Sequence, residues 1–264
     1  MTLLIDADYI AYKTCAACED EIDYGDDLIV VTSRFSDVLA MFQNEVMSIA
    51  ECMGLFDDFI LFFSSPRNFR KKIFPEYKGH RNRKKPCGYK RLLNWCADNY
   101  ITMMVDELEA DDAIGIYATD PIEQEAGHII CSPDKDMRQI PGQLFDLTNP
   151  VIEITQEEGD RWHLIQTLSG DQTDGYAGAP GIGIKRADAL LEKNGCNWQT
   201  VVDTFEERGM TVDDALMNAR LARILRYTDY DHETNEPILW SPTSGDGDDD
   251  GAAVQAEAVE RSAA

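Results

Sequence analysis

The sequence predicts an α/β fold, with a mainly parallel sheet flanked by helices and a small helical domain after it. Three observations lead there. Short, uniformly apolar runs recur through the first two-thirds of the chain, and amphipathic stretches separate them. Near residue 155 the strand pattern stops and helical periodicity takes over. Leu3-Leu4-Ile5 is the first run, and Asp6 ends it. Leu28–Thr32 is a further strand candidate. A helix follows from a Ser36 N-cap, because Val38, Phe42, Val46, Ile49 and Met53 recur at three- and four-residue steps. Ile60–Phe63 and Ile101–Val105 read as strands, with a helix over Gly88–Asn99 between them. A helix over Asp111–Thr119 and a strand over His128–Cys131 continue the alternation. Runs without polar interruption suit strands covered on both faces. Leu144–Leu147 and Val151–Ile154 flank Thr148-Asn149-Pro150 as a terminal strand pair. Beyond residue 155, helices are expected over Gln156–Leu168, Lys185–Lys193 and Asp213–Tyr227. The expected division is a core over 1–155 with a basic segment at about 66–91, a helical domain over 156–240 and a tail over 241–264. The tail's Gly, Asp and Ala composition predicts disorder.

At 264 residues and 44% hydrophobic, the chain can build a core without disulfides or a structural metal. Its 7 cysteines are odd in number and scattered, unlike a secreted disulfide framework. Cys15 and Cys18 form a lone C-x-x-C, which reads as two helix cysteines rather than a zinc site. Asp6 and Asp8 interrupt the N-terminal apolar stretch, so no leader is expected, and Ile60–Phe63 is too short to span a bilayer. A soluble cytoplasmic protein with no membrane partner is expected.

The net charge of −25 argues against a nucleic-acid partner until its distribution is read. Arg67–Arg91 holds 11 of the 24 basic residues and one acid, Glu76. A concentrated basic segment can capture a phosphate backbone that a uniformly acidic surface would repel. Short charge runs are usually solvated faces. Here Phe69, Phe74 and Tyr77 are interleaved with the cations, as in elements that bind single strands.

The informative acids fall at the ends of expected elements, where an open α/β sheet forms its crevice. They are Asp6; Glu109, Asp111 and Asp112; Asp134 and Asp136; and Asp171 and Asp174. Any one of them alone is most often a cap or a turn acid. Eight carboxylates in one crevice could not all stay ionised without cations, because like charges raise one another's pKa. Oxygen donors with few histidines suit Mg²⁺ or Mn²⁺ rather than zinc. Two such ions could activate water and steady both oxygens in phosphodiester cleavage. A second clue is the turn Gly178-Ala179-Pro180-Gly181-Ile182-Gly183 with Lys185 opening the next helix. Its exposed amides could hold a phosphate, although for the turn taken alone a tight helix–helix connection is the commoner explanation.

Together these segments resemble the 5′–3′ exonucleases and flap endonucleases, including the exonuclease domain of bacterial DNA polymerase I. The resemblance runs from Leu3 to about Pro242. It rests on Leu4-Ile5-Asp6, Phe69-Arg70-Lys71, Pro75-Glu76-Tyr77-Lys78-Gly79-His80-Arg81 and Glu109-Ala110-Asp111-Asp112. Ser132-Pro133-Asp134-Lys135-Asp136, Gly170-Asp171-Gln172-Thr173-Asp174 and Pro180-Gly181-Ile182-Gly183-Ile184-Lys185 complete it. Trp162-His163-Leu164, Asp174-Gly175-Tyr176 and Ala222-Arg223-Ile224-Leu225-Arg226 look most like stand-alone exonucleases of short-tailed bacteriophages. The resemblance implies a PIN-like core followed by a helix–hairpin–helix domain that binds duplex DNA. It implies a first metal site of Asp6, Glu109, Asp111, Asp112 and Asp134, and a second of Asp136, Asp171 and Asp174. Asp6, Lys78, Arg81 and Asp134 would be catalytic. Arg70, Lys71, Tyr77, Lys78 and Arg81, in the arch around the 5′ strand, would contact DNA, as would Gly181, Gly183 and Lys185. Two Mg²⁺ or Mn²⁺, and a K⁺ at the hairpin, are the implied cofactors. The implied activity is 5′–3′ cleavage of duplex DNA from ends, nicks or flaps, with removal of 5′ RNA, by a monomer in the host cytoplasm during phage replication or recombination.

One position departs from the family pattern. Phe63 stands where these enzymes usually carry Asp at the end of the second core strand. Asp8, two residues beyond Asp6, is the candidate for the missing charge; the competing reading makes it a cap of a helix beginning near Tyr9. The alternative function is a catalytically weak DNA-structure-binding protein of the same fold. A PIN-type ribonuclease toxin fits less well, because such chains are usually shorter and lack the hairpin domain. In the tail, Asp246-x-Asp248-x-Asp250-Gly251 with Glu257 mimics an EF-hand loop, but no flanking helix is expected, so a solvated acidic tail is the better reading.

Overall fold

The computed structural model describes residues 1–54, 58–80 and 84–242. The chain opens with β1 (Thr2–Asp6) and α1 (Ala7–Ala17), a hairpin of β2 (Glu19–Asp23) and β3 (Ile29–Ser33), and α2 (Phe35–Met53). β4 (Phe59–Phe62), α3 (Arg70–Ile73), α4 (Tyr89–Asn99), β5 (Thr102–Met103), α5 (Ala110–Ala118) and α6 (Pro121–Ala126) follow. Next come β6 (His128–Cys131), a 3-10 turn (Lys135–Gln139), β7 (Gly142–Phe145) and β8 (Ile152–Ile154). Helices α7 (Gln156–Ser169), α8 (Ile184–Asn194), α9 (Trp198–Glu207) and α10 (Val212–Ala222) precede a short pair, β9 (Tyr230–Asp231) and β10 (Glu236–Pro237).

The main sheet runs β5-β4-β1-β6-β7-β8, parallel throughout except for the final β7–β8 pair. The fold is therefore the α/β arrangement expected. Period-two alternation sorts the strands onto two cores. Leu3, Ile5, Leu61, Phe63, Ile129 and Cys131 face α1, α2 and α4, packing on Phe42, Val46 and Leu92. Leu4, Ile60, Phe62 and Ile130 face Ala113 and Ile114 of α5. A third cluster, including Leu168, Ile182, Leu191, Phe205 and Ala215, joins the four later helices. Register places Asp6 beside Phe62 of β4 and Ile5 beside Cys131 of β6. The C-terminal ends of β1, β4 and β6 thus lie level, and the loops leaving them converge.

Several elements differ from the sequence expectation. The Ile101–Val105 run yields only two strand residues, because β5 is an edge strand paired with β4 alone and Ile101 points into solvent. Residues near Leu28–Thr32 do form a strand, but in a separate antiparallel hairpin. Its partner β2 is Glu-Asp-Glu-Ile-Asp, with no apolar alternation to announce it. Ser36 lies inside the first turn of α2, and Arg34 takes the cap position. The last expected helix stops at Ala222; Arg223 leaves it in an extended conformation, and the Arg223 and Arg226 side chains turn inward to pair with Asp229 and Asp160. Helix α9, capped by Asn197, was not expected. The EF-hand-like stretch and the rest of the tail beyond Pro242 lie outside the described residues.

Candidate active site

Four chain segments meet at the level edge of the sheet, each placed there by the element it ends or begins. Asp6 closes β1, where its carboxylate accepts from Ser132 Oγ at 2.9 Å, just beyond β6. Glu109, Asp111 and Asp112 sit at the start of α5. Asp134 caps the 3-10 turn by accepting from the Asp136 amide at 2.9 Å. Asp171 and Asp174 occupy the loop leaving α7. That loop depends on a contact only glycine permits. A Cβ on Gly170, which has φ +64°, would lie 2.3 Å from the Ala177 carbonyl carbon, and one on Gly178 would lie 2.3 Å from the Gly170 amide nitrogen.

Asp6, Asp111, Asp134, Asp136, Asp171 and Asp174 line one cavity of about 500 Å³. Lys78 and Lys135 enter it as well. Lys78 pairs with Glu109 and lies 3.6 Å from Asp174. Lys135 Nζ lies 3.1 Å from both Asp136 and Asp171. The Lys78 backbone has φ +52°, a conformation that non-glycine residues rarely adopt, and its N–H donates to the Asp174 carbonyl at 2.7 Å.

Crowding perturbs these carboxyls. Burial, then the neighbouring Asp8, pushes Asp6 up to about 6. Burial, then Asp134, brings Asp136 to about 6. Burial, followed by Asp112 and Glu109, raises Asp111 well above the usual carboxylate range. Burial alone would also raise Glu109, but Lys78 and then Arg70 hold it down at about 2. Hard oxygen donors that resist ionising together are a donor set that a divalent cation fits.

The structure separates the remaining expected site residues by role. Asp112 is fully buried and gives both oxygens to Arg70, at 2.6 and 2.8 Å, while also accepting from the Leu225 amide at 3.1 Å. Glu109, Asp111 and Asp112 place oxygens within 4.8 Å of one another; Asp112 lies behind the cavity, and Glu109 meets it through Lys78. Arg70 is a correction. The sequence placed it on DNA, but it is 2% exposed and also donates to the Leu221 and Arg223 carbonyls, so no backbone phosphate can reach it. Tyr77 is corrected likewise; it is buried, and its hydroxyl donates to Glu109 at 2.9 Å and Asp174 at 3.0 Å. Lys71 is exposed, as are Gly181, Gly183 and Lys185 at the turn into α8, away from the cavity. Arg81 lies outside the described residues. Asp8 caps nothing, since α1 already begins at Ala7. Its carboxylate accepts from the Ser64 amide at 2.9 Å and the Tyr89 hydroxyl at 2.6 Å, so it sits behind Asp6 beside the end of β4. Phe63, where a family carboxylate was expected, is buried in the core against α1 and α4. Sequence reasoning passed over Ser64, Ser132 and Tyr89. The signal for Ser64 and Tyr89 was position, two residues past β4 and opening α4, while Ser132 opens the Ser132–Asp136 motif directly after β6.

The family described as "5'-3' exonuclease, N-terminal resolvase-like domain" matches residues 1–163, more than half of the chain. The chain belongs to the 5′–3′ exonuclease family. It is a nuclease. It is 27% identical to the exodeoxyribonuclease of Enterobacteria phage T3, over 92% of this chain and 93% of that one. It is also 27% identical to the exonuclease of Escherichia phage T7, over 91% and 93%. Among solved structures, a flap endonuclease of bacteriophage T5 in complex with DNA and metal ions aligns with TM-score 0.62. That alignment covers 84% of this nuclease and 88% of the T5 chain at 16% identity, a likeness of fold. Among the described residues, no helix of this nuclease is long and apolar enough to cross a membrane.

Proposed function

We propose that this nuclease hydrolyses phosphodiester bonds of duplex DNA from 5′ ends, nicks and flaps, and removes 5′ RNA, using two divalent cations, Mg²⁺ or Mn²⁺. The observation that carries the reading is the single cavity lined by six carboxylates from four separate segments. Asp6, Asp111 and Asp134 would hold one ion, and Asp136, Asp171 and Asp174 the other. When bound, such ions activate water and neutralise charge that develops on the scissile phosphate. The chain's own groups supply the rest. Lys78, anchored by Glu109, brings a cation to the cavity wall for the phosphate to meet. Tyr77 holds Glu109 and Asp174 in place from behind. Lys71 and Arg81 would receive the 5′ strand. The exposed turn Gly181–Gly183 with Lys185 would hold the duplex backbone, with K⁺ as its counter-ion, as part of a helical domain over 156–240. The phage relatives support a role in phage DNA replication or recombination in the host cytoplasm.

Asp134→Asn tests the reading on 5′-labelled duplex, nicked, flapped and RNA–DNA substrates. Cleavage should fall at least about 100-fold while DNA affinity stays near wild type, because a metal ligand serves transition-state charge more than docking. Near-normal turnover at saturating Mg²⁺ would remove Asp134 from the site.

A further inference from the structure

Lys135, unlike Lys78, pairs with two carboxylates assigned above to the same ion. Its ammonium sits 3.1 Å from Asp136 Oδ1 and 3.1 Å from Asp171 Oδ2, between two carboxylates of the proposed second site. Those two come from different parts of the chain. Asp136 belongs to the turn after β6 and Asp171 to the loop after α7. Asp171 is already committed through its other oxygen, which accepts from the Thr173 amide at 2.7 Å and from the Thr173 hydroxyl. Without a cation between them, Asp136 and Asp171 would repel across the cavity mouth, and the loop over 171–174 would lose a tie to the sheet edge. Lys78 does the same work on the opposite wall, joining Glu109 to the same loop at Asp174. The two lysines differ in freedom. Lys78 is 18% exposed and held by its strained backbone, whereas Lys135 is 49% exposed on a flexible stem open to solvent.

We propose that Lys135 is a displaceable counter-ion: it holds Asp136 and Asp171 together before the second divalent cation arrives, then gives up its place to that cation and swings into solvent. Lys135 thereby sets the affinity of the second site. It keeps the carboxylates assembled in the metal-free nuclease, at the cost of competing with the ion that follows. This inference rests on the two-ion reading of the cavity.

Calorimetric titration of Mn²⁺, without DNA, into the full-length wild type, Lys135→Met and Lys135→Arg tests it at constant ionic strength. Competition by a half-exposed ammonium for two largely buried carboxylates predicts that Lys135→Met binds the weaker of two ions about ten-fold more tightly. The stronger ion should change less than the weaker one, since Lys135 pairs with Asp136 and Asp171 and with none of Asp6, Asp111 and Asp134. Lys135→Arg should stay close to wild type. Melting of the metal-free proteins gives an independent readout. Lys135→Met should melt below wild type without Mn²⁺ and gain more from saturating Mn²⁺ than wild type does. If wild type binds two ions and Lys135→Met binds the second equally or more weakly, the Lys135 inference fails and the two-ion reading stands. If wild type binds no second ion, both fail.

Discussion

Replacing Arg70 by Met should damage the fold far more than it damages DNA contact. Arg70 is 2% exposed and Asp112 fully buried, and two parallel hydrogen bonds of 2.6 and 2.8 Å join them. The same guanidinium donates to the carbonyls of Leu221 and Arg223, fastening α3 and α5 to the end of α10. Removing one partner of a buried pair typically costs roughly 3–5 kcal/mol, because the other charge is left without compensation. Two features set the position within that range. Asp112 keeps the Leu225 amide at 3.1 Å, which softens the loss, while two buried carbonyls lose donors, which adds to it. These offset, so we expect about 4 kcal/mol, or roughly 8–16 °C in melting temperature for a chain of this size. Circular dichroism melts of wild type, Arg70→Met and the double variant Arg70→Met/Asp112→Leu provide the assay. The double variant should recover most of the loss, since an apolar pair of similar volume carries no stranded charge. DNA affinity of folded Arg70→Met, measured well below its melting point, should be near wild type. A melting temperature within about 2 °C of wild type, together with weaker binding and a shallower salt dependence, would refute the buried assignment and return Arg70 to the DNA surface.

Lys78→Met should lower turnover on duplex DNA by about 100-fold with a much smaller change in affinity, because its charge is held at the cavity wall rather than on the outer face. Equal losses in both would show it to be one cation among many. Gly170→Ala should cut cleavage at least about ten-fold at a temperature where the variant remains folded, since the added methyl forces apart the loop carrying Asp171 and Asp174. Wild-type activity would show that the loop can relax. His163 is buried in α7 with its Nε2 2.9 Å from the Ala219 carbonyl, and burial, reinforced by Arg223, lowers its pKa to about 3. The unfolded chain takes up this proton near 6.5 and the folded one does not. Stability is therefore fully present above about pH 6.5 and is lost as pH falls toward 3, at about 1.4 kcal/mol per unit. Urea titrations at pH 7, 6 and 5 should show a shallower pH dependence for His163→Gln; identical slopes would remove His163 from the acid response.

The site was legible as a set of segments and illegible as a set of contacts. Asp6, Asp111, Asp134, Asp136, Asp171 and Asp174 could be picked from the chain because each lies where an apolar run or a periodic stretch ends, and the structure lines one cavity with all six. Arg70 and Tyr77 misled because a basic segment interleaved with aromatics reads alike whether its cations face phosphate or buried carboxylates. Deciding that needs the partner, and Asp112 is 42 residues away in sequence. Asp8 shows the same limit at shorter range. Its position two residues past Asp6 suggested a shared strand face, but the chain turns into α1 at Ala7, and it is Ser64 and Tyr89 that hold its carboxylate next to Asp6.

By itself, the sequence determined the strand-and-helix alternation, the parallel sheet and the order of the acidic segments. Local periodicity and the chain's need to bury apolar runs on both faces leave little choice there. Only the tertiary structure decided which carboxylates face the cavity and which are spent on ion pairs behind it. It also decided which lysines neutralise them and where the acidic β2–β3 hairpin stands apart from the sheet. Those outcomes depend on pairings between residues tens to more than a hundred positions apart. Side-chain charge and hydrogen bonding are settled by whichever donor the fold brings within about 3 Å, a distance that no local pattern encodes.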